Sequence, residues 1–261
     1  MRLLLRLKCS NSSLYEMQYH YHLQGFIYHL LKGSIYEHIH DKEGYKFFCF
    51  SNIFPAKNLQ KGDMRTLIIS SPDSEFILHL DKVLRHEWST AEIRIGCMKF
   101  RIDYIDKLVQ KVSNDLPVTL ITGTPIVVRI PCEKYIKYGI EPKPEYGYIY
   151  WRSGHPVDLF VSQVQINLLK KYSEYCALTN IVDDESLIPS RQQTTFSFFQ
   201  KLKFKKQIST TVLMKGFNQV IIGTVWEFVF NPPFNSDLIQ FALDTGLGER
   251  NSLGFGIVNL I

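Results

Sequence analysis

The chain has 261 residues, of which 45% are hydrophobic, 13% aromatic and 21% charged, an ordinary globular composition with room for one large domain or two small ones. Its formal net charge of +5 is modest for a nucleic-acid binder, so the placement of charge carries more information than the total. Five scattered cysteines with no CxxC pair argue against a disulfide framework or a structural zinc site and fit a reducing cytoplasm. The opening MRLLLRLKCS is broken by Arg6, too short and too charged for a signal peptide, and no apolar run reaches bilayer length. The expectation is a soluble cytoplasmic protein with no membrane partner.

In chain order, Leu3, Leu5 and Leu7 fall on one face of a strand, and Arg2, Arg6 and Lys8 on the other. Ser12 or Ser13 is positioned to cap a helix over 14–31, with Leu23, Ile27, Leu30 and Leu31 at helical spacing and Gly33 as its stop. Residues 45–50, 66–70 and 75–80 read as strands, and 102–112 as a second helix followed by a turn at Asn114 and Asp115. A second cycle starts at Val118 with a β-branched run interrupted at Pro125, then an irregular stretch marked by Pro131, Gly139, Pro142 and Pro144. A helix over 158–175, strands over 196–204 and 212–230 with a turn at Lys215-Gly216, a helix over 236–245 and a last strand over 255–261 complete it. The order predicts an α+β chain of two tandem ferredoxin-like (RRM-like, β-α-β-β-α-β) domains, residues 1–115 and 116–261.

Three features carry chemistry. The segment from Gly246 to Gly256, GLGERNSLGFG, sets Gly246, Gly248, Gly254 and Gly256 around Arg250. Its amides are suited to approach an anion, and its order (helix, glycines, strand) is the reverse of a dinucleotide-binding turn. The bland alternative is a tight bend needing positive φ at several positions. Second, five of the eight histidines (His20, His22, His29, His38 and His40) lie near the N-terminus. His38 and His40 share a segment with Asp41, Lys42 and Lys46, which suits proton transfer and charge stabilisation at a phosphodiester. The two HxH pairs lack a cysteine or carboxylate cluster to complete a ligand set, so no metal is expected; His20, His22 and His29 read as solvated surface residues. Third, no acid lies between Ser186 and Trp226, while Arg191, Lys201, Lys203, Lys205, Lys206 and Lys215 do. Lys201, Lys203 and Lys205 would line one strand face and track a phosphate backbone, with Phe196, Phe198 and Phe199 as stacking faces; edge protection is the alternative.

Taken together, these residues resemble the Cas-six family of CRISPR repeat-RNA endoribonucleases, in the RAMP superfamily. The C-terminal pattern G-h-G, five residues, G-h-G is met by Gly246, Leu247, Gly248, Gly254, Phe255 and Gly256. His40, Asp41, Gly44, Tyr45, Lys46 and Phe48 fit the family's histidine loop, and TGTPIVVR from Thr122 to Arg129 resembles the start of its second domain.

The resemblance implies a metal- and cofactor-independent cut within precursor guide RNA, by attack of a 2′-OH, leaving 2′,3′-cyclic phosphate and 5′-OH ends. It implies His40 as the main proton-transfer residue with His38 as partner or substitute, Lys46 or Lys42 stabilising the phosphorane, and Tyr28 positioning the phosphate or nucleophile. Repeat RNA is the implied partner, and family members also form homodimers and join effector complexes. The alternative is a non-catalytic RNA-binding subunit of such a complex.

Overall fold

The computed structural model describes residues 1–113, 116–140, 147–179, 199, 201–214, 216–230, 232 and 234–261. Two compact units result: Met1–Gln110 with Thr211–Val220 and Asn251–Gly254, and Lys111–Thr210 with Ile221–Arg250 and Phe255–Ile261. The turn at Asn114 and Asp115, Pro142, Pro144, Phe196, Phe198 and Lys215 lie outside the described residues.

The first unit runs β1 (Arg2–Cys9), α1 (Tyr19–Leu30), β2 (Cys49–Phe50), β3 (Met64–Ser70), α2 (Ser74–Glu87), β4 (Ile93–Ile95) and β5 (Met98–Leu108). Its antiparallel sheet has the order β2-β3-β1-β5-β4. With β4 as a short edge strand, the remaining elements form the β-α-β-β-α-β plan. The alternation in β1 buries Leu3, Leu5, Leu7 and Cys9 and leaves Arg6 and Lys8 exposed, whereas Arg2 is buried. Leu23, Phe26, Ile27 and Leu30 of α1 and Phe76, Ile77, Leu80 and Leu84 of α2 complete the core. Each fully buried aliphatic or aromatic side chain of this kind stabilises by about 1.5–3 kcal/mol.

Three expectations need correction. The first helix starts at Tyr19, behind Gln18, which makes no side-chain cap bond, because the backbone of Ser13 is bridged to Leu59. The supposed strand over 75–80 is the first half of α2, whose N-cap Asp73 accepts from the Phe76 amide at 3.1 Å. The supposed helix over 102–112 is largely β5. Its register against β1 slips between Arg6 and Leu7, so Leu7 faces Ile102 and Leu5 faces Ile105. Two core-facing residues three apart on a bulged strand imitate a helical period.

The second unit runs β6 (Val118–Thr122), β7 (Ile126–Val127), β8 (Arg129–Pro131), α3 (Glu133–Ile136), β9 (Tyr148–Tyr150), α4 (Val157–Thr179), β10 (Lys201–Met214), β11 (Phe217–Phe230), α5 (Ser236–Thr245) and β12 (Val258–Leu260). Its main sheet has the order β10-β11-β6-β12, β7 pairs with β11, and β8 and β9 form a separate ribbon. The series β6-α4-β10-β11-α5-β12 repeats the plan of the first unit, so the chain is α+β with two ferredoxin-like folds. Phe160 of α4 stacks on Trp226 of β11 with centroids 4.5 Å apart. Helix α5 has the bounds read from the sequence; Asn235 caps it by accepting from the Leu238 amide at 2.9 Å, and it stops at Gly246, φ +83°.

Candidate active site

Gly25, Tyr28 and His29 occupy positions i, i+3 and i+4 of α1, with Lys32 one turn further along. The chain then turns at Gly33, φ +73°, passes through a 3-10 turn at Glu37–Ile39 and reaches His40. These residues enclose a cavity of about 320 Å³ lined by Gly25, Tyr28, His29, Lys32, Glu37, His40 and Asp41. The rings of Tyr28 and His40 meet edge to face, centroids 5.0 Å apart at 82°. The Lys46 ammonium lies 4.8 Å from the centroid of the Tyr28 ring and donates to the His40 carbonyl at 2.8 Å. Partial burial depresses the Lys46 pKa; Asp41 opposes that shift and Lys42 adds to it. His40 Nδ1 and Asp41 Oδ1 are 2.6 Å apart, with both side chains largely exposed.

The adjoining stripe of α1, one and two turns before Tyr28, is held by the turn Asn251–Leu253. His20 Nδ1 lies 2.9 Å from the Leu253 carbonyl, and Gln24 donates to the Ser252 carbonyl at 2.9 Å. His20 is buried and stacked on Tyr19, which corrects its reading as a surface residue; burial lowers its pKa to about 4, against the Leu253 hydrogen bond. His22 is exposed, so the two diverge around the helix. Burial pushes the Tyr28 pKa up to about 12, with the Ser252 side chain pulling the other way. Among the described residues, the Tyr28 hydroxyl has no hydrogen-bond partner of normal geometry.

The structure thus brings Tyr28, His40 and Lys46 together, and leaves two other candidates aside. His38 is exposed, places Nδ1 2.7 Å from the Ile35 carbonyl and is absent from the cavity lining; Lys42 sits 4.6 Å from the Phe47 ring centroid. Asp41 as the partner of His40 was not foreseen, nor were Lys32, Glu37 and Ser252. The i, i+3, i+4 pattern of Gly25, Tyr28 and His29 was the available signal for the helix side.

Six amides of the glycine segment are turned into the chain. The amides of Gly246, Leu247, Glu249, Gly254, Phe255 and Gly256 donate to the carbonyls of Ala242, Gly256, Val127, Asn251, Arg250 and Pro125. With these donors engaged inside the chain, the glycines serve conformation: Gly246, Gly248, Gly254 and Gly256 all have positive φ. A Cβ on Gly248 would lie 2.5 Å from the Val127 carbonyl oxygen, and one on Gly254 would lie 2.3 Å from the Phe50 ring. Buried Lys171 of α4 donates to the Gly246 carbonyl at 2.6 Å, a tie that nothing in the sequence pattern announced. Glu249 is ion-paired with Arg129, and Arg250 itself has φ +59°.

Lys201, Lys203 and Lys205 are exposed at alternate positions of β10, an edge strand. The neighbourhood is not free of acid, as the sequence had suggested: Lys205 pairs with Glu227 on β11 at 2.5 Å and depresses its pKa, with Lys203 and Lys201 adding to the effect. Pairing across the sheet brings in an acid just past the acid-free run. Phe199 is buried against Phe228 rather than offered for stacking, and Arg191 lies outside the described residues. Among the described residues, no three His, Cys, Asp or Glu side chains are grouped to hold a metal ion, and no helix is long and apolar enough to cross a membrane.

Comparison with known proteins converges on one family. Residues 107–260 match the family model described as CRISPR associated protein Cas6, C-terminal. The chain is 31% identical over 246 residues to CRISPR-associated endoribonuclease Cas6 2 of Methanocaldococcus jannaschii, covering 92% of this chain and 90% of that one. It is 29% identical over 269 residues to CRISPR-associated endoribonuclease Cas6 of Haloferax mediterranei, covering 100% and 94%. A solved CRISPR associated protein Cas6 shares the fold with a TM-score of 0.66 at 22% identity, over 100% of this chain and 99% of that one. A C-terminal family match over more than half the chain and near full-length relatives agree, and the chain belongs to the Cas6 family.

Proposed function

We propose that this protein is a metal-independent endoribonuclease that cuts within CRISPR repeats of precursor guide RNA and leaves 2′,3′-cyclic phosphate and 5′-OH ends. The observation that carries this reading is that His40 and Tyr28 line one cavity and meet edge to face, with the Lys46 ammonium beside both. The two relatives named as CRISPR-associated endoribonucleases support the substrate class.

In this reading the His40 imidazole removes the proton from the 2′-OH upstream of the scissile phosphate. The O2′–P bond forms, the P–O5′ bond breaks, and the departing 5′-oxygen takes a proton from water. The Lys46 ammonium offsets charge building on the phosphoryl oxygens. With its pKa near 12, the Tyr28 phenol stays protonated at neutrality, which suits it to donate to the RNA rather than to serve as a base. Residues 1–115 supply the catalytic loop and residues 116–261 the RNA-holding surface, with Lys201, Lys203, Lys205 and Arg250 meeting phosphates.

The test is labelled repeat RNA from the source organism's own array, incubated with wild-type protein and His40→Ala in excess EDTA. A single cut within the repeat that ends in a cyclic phosphate, persists in EDTA and is lost in the variant is the expected result. A 2′-deoxy substitution at the nucleotide upstream of the cut should abolish cleavage. Tight binding with no cut would make the protein a non-catalytic RNA-binding subunit, and equal affinity for unrelated RNA would reject the repeat as substrate.

A further inference from the structure

The bond between His40 and Asp41 decides more than proximity. We propose that Asp41 is a positioning residue that fixes the tautomer of His40, keeping the proton on Nδ1 and leaving Nε2 as the basic nitrogen for the 2′-OH. This inference rests on the reading of His40 as the proton-transfer residue.

The argument is one of hydrogen-bond chemistry. Asp41 Oδ1 lies 2.6 Å from His40 Nδ1, and an ionised carboxylate only accepts, so the hydrogen between them belongs to Nδ1. A neutral imidazole carries one proton, so its lone pair is then on Nε2. When Nε2 takes the 2′-OH proton, the resulting imidazolium is already paired with a carboxylate. The proton thus moves from O2′ to Nε2 as the O2′–P bond forms; water protonates the departing 5′-oxygen, and the hydroxide left behind takes the proton back from the imidazolium. His38 offers a contrast: its Nδ1 meets the Ile35 carbonyl at 2.7 Å, which sets the same tautomer without a compensating full charge, and it does not line the cavity. Asp41 also favours the charged form of Lys46, so a test must separate tautomer control from simple charge.

Substitution by Asn makes that separation. An amide at position 41 can donate to Nδ1 and impose the wrong tautomer, whereas Ala removes the charge and leaves water in its place. Long-range 15N–1H spectra of histidine-labelled, RNA-free protein should show Nδ1–H for His40 in the wild type and a shift toward Nε2–H in Asp41→Asn. Single-turnover cleavage of repeat RNA should fall about 10–100-fold in Asp41→Asn with unchanged RNA affinity, less in Asp41→Ala, and recover in Asp41→Glu. Identical His40 tautomers in wild type and Asp41→Asn would overturn the proposal. Equal losses in the Asn and Ala variants would also overturn it, because charge alone would then account for the effect. Full activity in His40→Ala would remove the catalytic reading itself, a result recognisable apart from the spectra.

Discussion

The Leu253 carbonyl accepts a hydrogen bond from Nδ1 of His20 at 2.9 Å, joining the first turn of α1 to a residue 233 positions further along the chain. Because His20 is buried neutral with a pKa of about 4, the unfolded chain binds a proton that the folded one refuses between that value and the ordinary 6.5. Stability therefore rises with pH through this window and is lost as pH falls from 6.5 toward 4. Between pH 7 and pH 5 this group alone should cost about 2 kcal/mol. Urea unfolding of wild type and His20→Gln at both pH values measures it: the variant should show the smaller acid loss, and an equal loss in both would contradict the assignment.

His40→Ala should cut repeat RNA about 10²–10⁴-fold more slowly than wild type while binding it with similar affinity. Single-turnover cleavage and filter binding on the same preparations give both numbers.

Gly254→Ala should destabilise the fold by about 2–5 kcal/mol, through left-handed backbone strain and overpacking against Phe50. Gly33→Ala, also at positive φ but with nothing within 4 Å of the added carbon, should cost only about 1–2 kcal/mol. Denaturant midpoints of the two variants should separate clearly, and equal midpoints would show that contact with Phe50 is not limiting.

Lys171→Met keeps most of the side-chain volume but removes the donor to the Gly246 carbonyl. Leaving that buried acceptor without this partner should cost about 1–3 kcal/mol in thermal or urea unfolding.

If Lys201, Lys203 and Lys205 meet phosphates, each replacement by Ala should weaken binding of repeat RNA and flatten its salt dependence. The slope of log K against log salt should change by about 0.7 per lysine removed for single-stranded RNA. An unchanged slope in the triple variant would leave these cations as edge protection for β10.

Much of this fold was legible in the sequence where local pattern and packing agree. The alternation of β1 and the bounds of α5 fall into that class, since one buried face and one side-chain cap fix each of them. Helix α2 is hard to read from the sequence because residues 75–80 also satisfy a short strand, and only the N-cap Asp73 marks its start. Strand β5 was misread because its bulge places Ile102 and Ile105 on the same side. At the candidate site, the local cluster around His40 could be read from adjacent residues. Glu227 opposite Lys205 and Ser252 near Tyr28 could not, because cross-strand and long-range pairing decides them.

The grip of α1 on residues 252 and 253 also sets an order of assembly. Gln24 finds its partner at Ser252, 228 positions later, and His20 waits for Leu253. Loop closure over such a span must be offset by contacts already made elsewhere. A nascent chain thus emerges with α1 well before the turn that holds it exists. Until residues 252 and 253 have been made, α1 is without both of these hydrogen bonds.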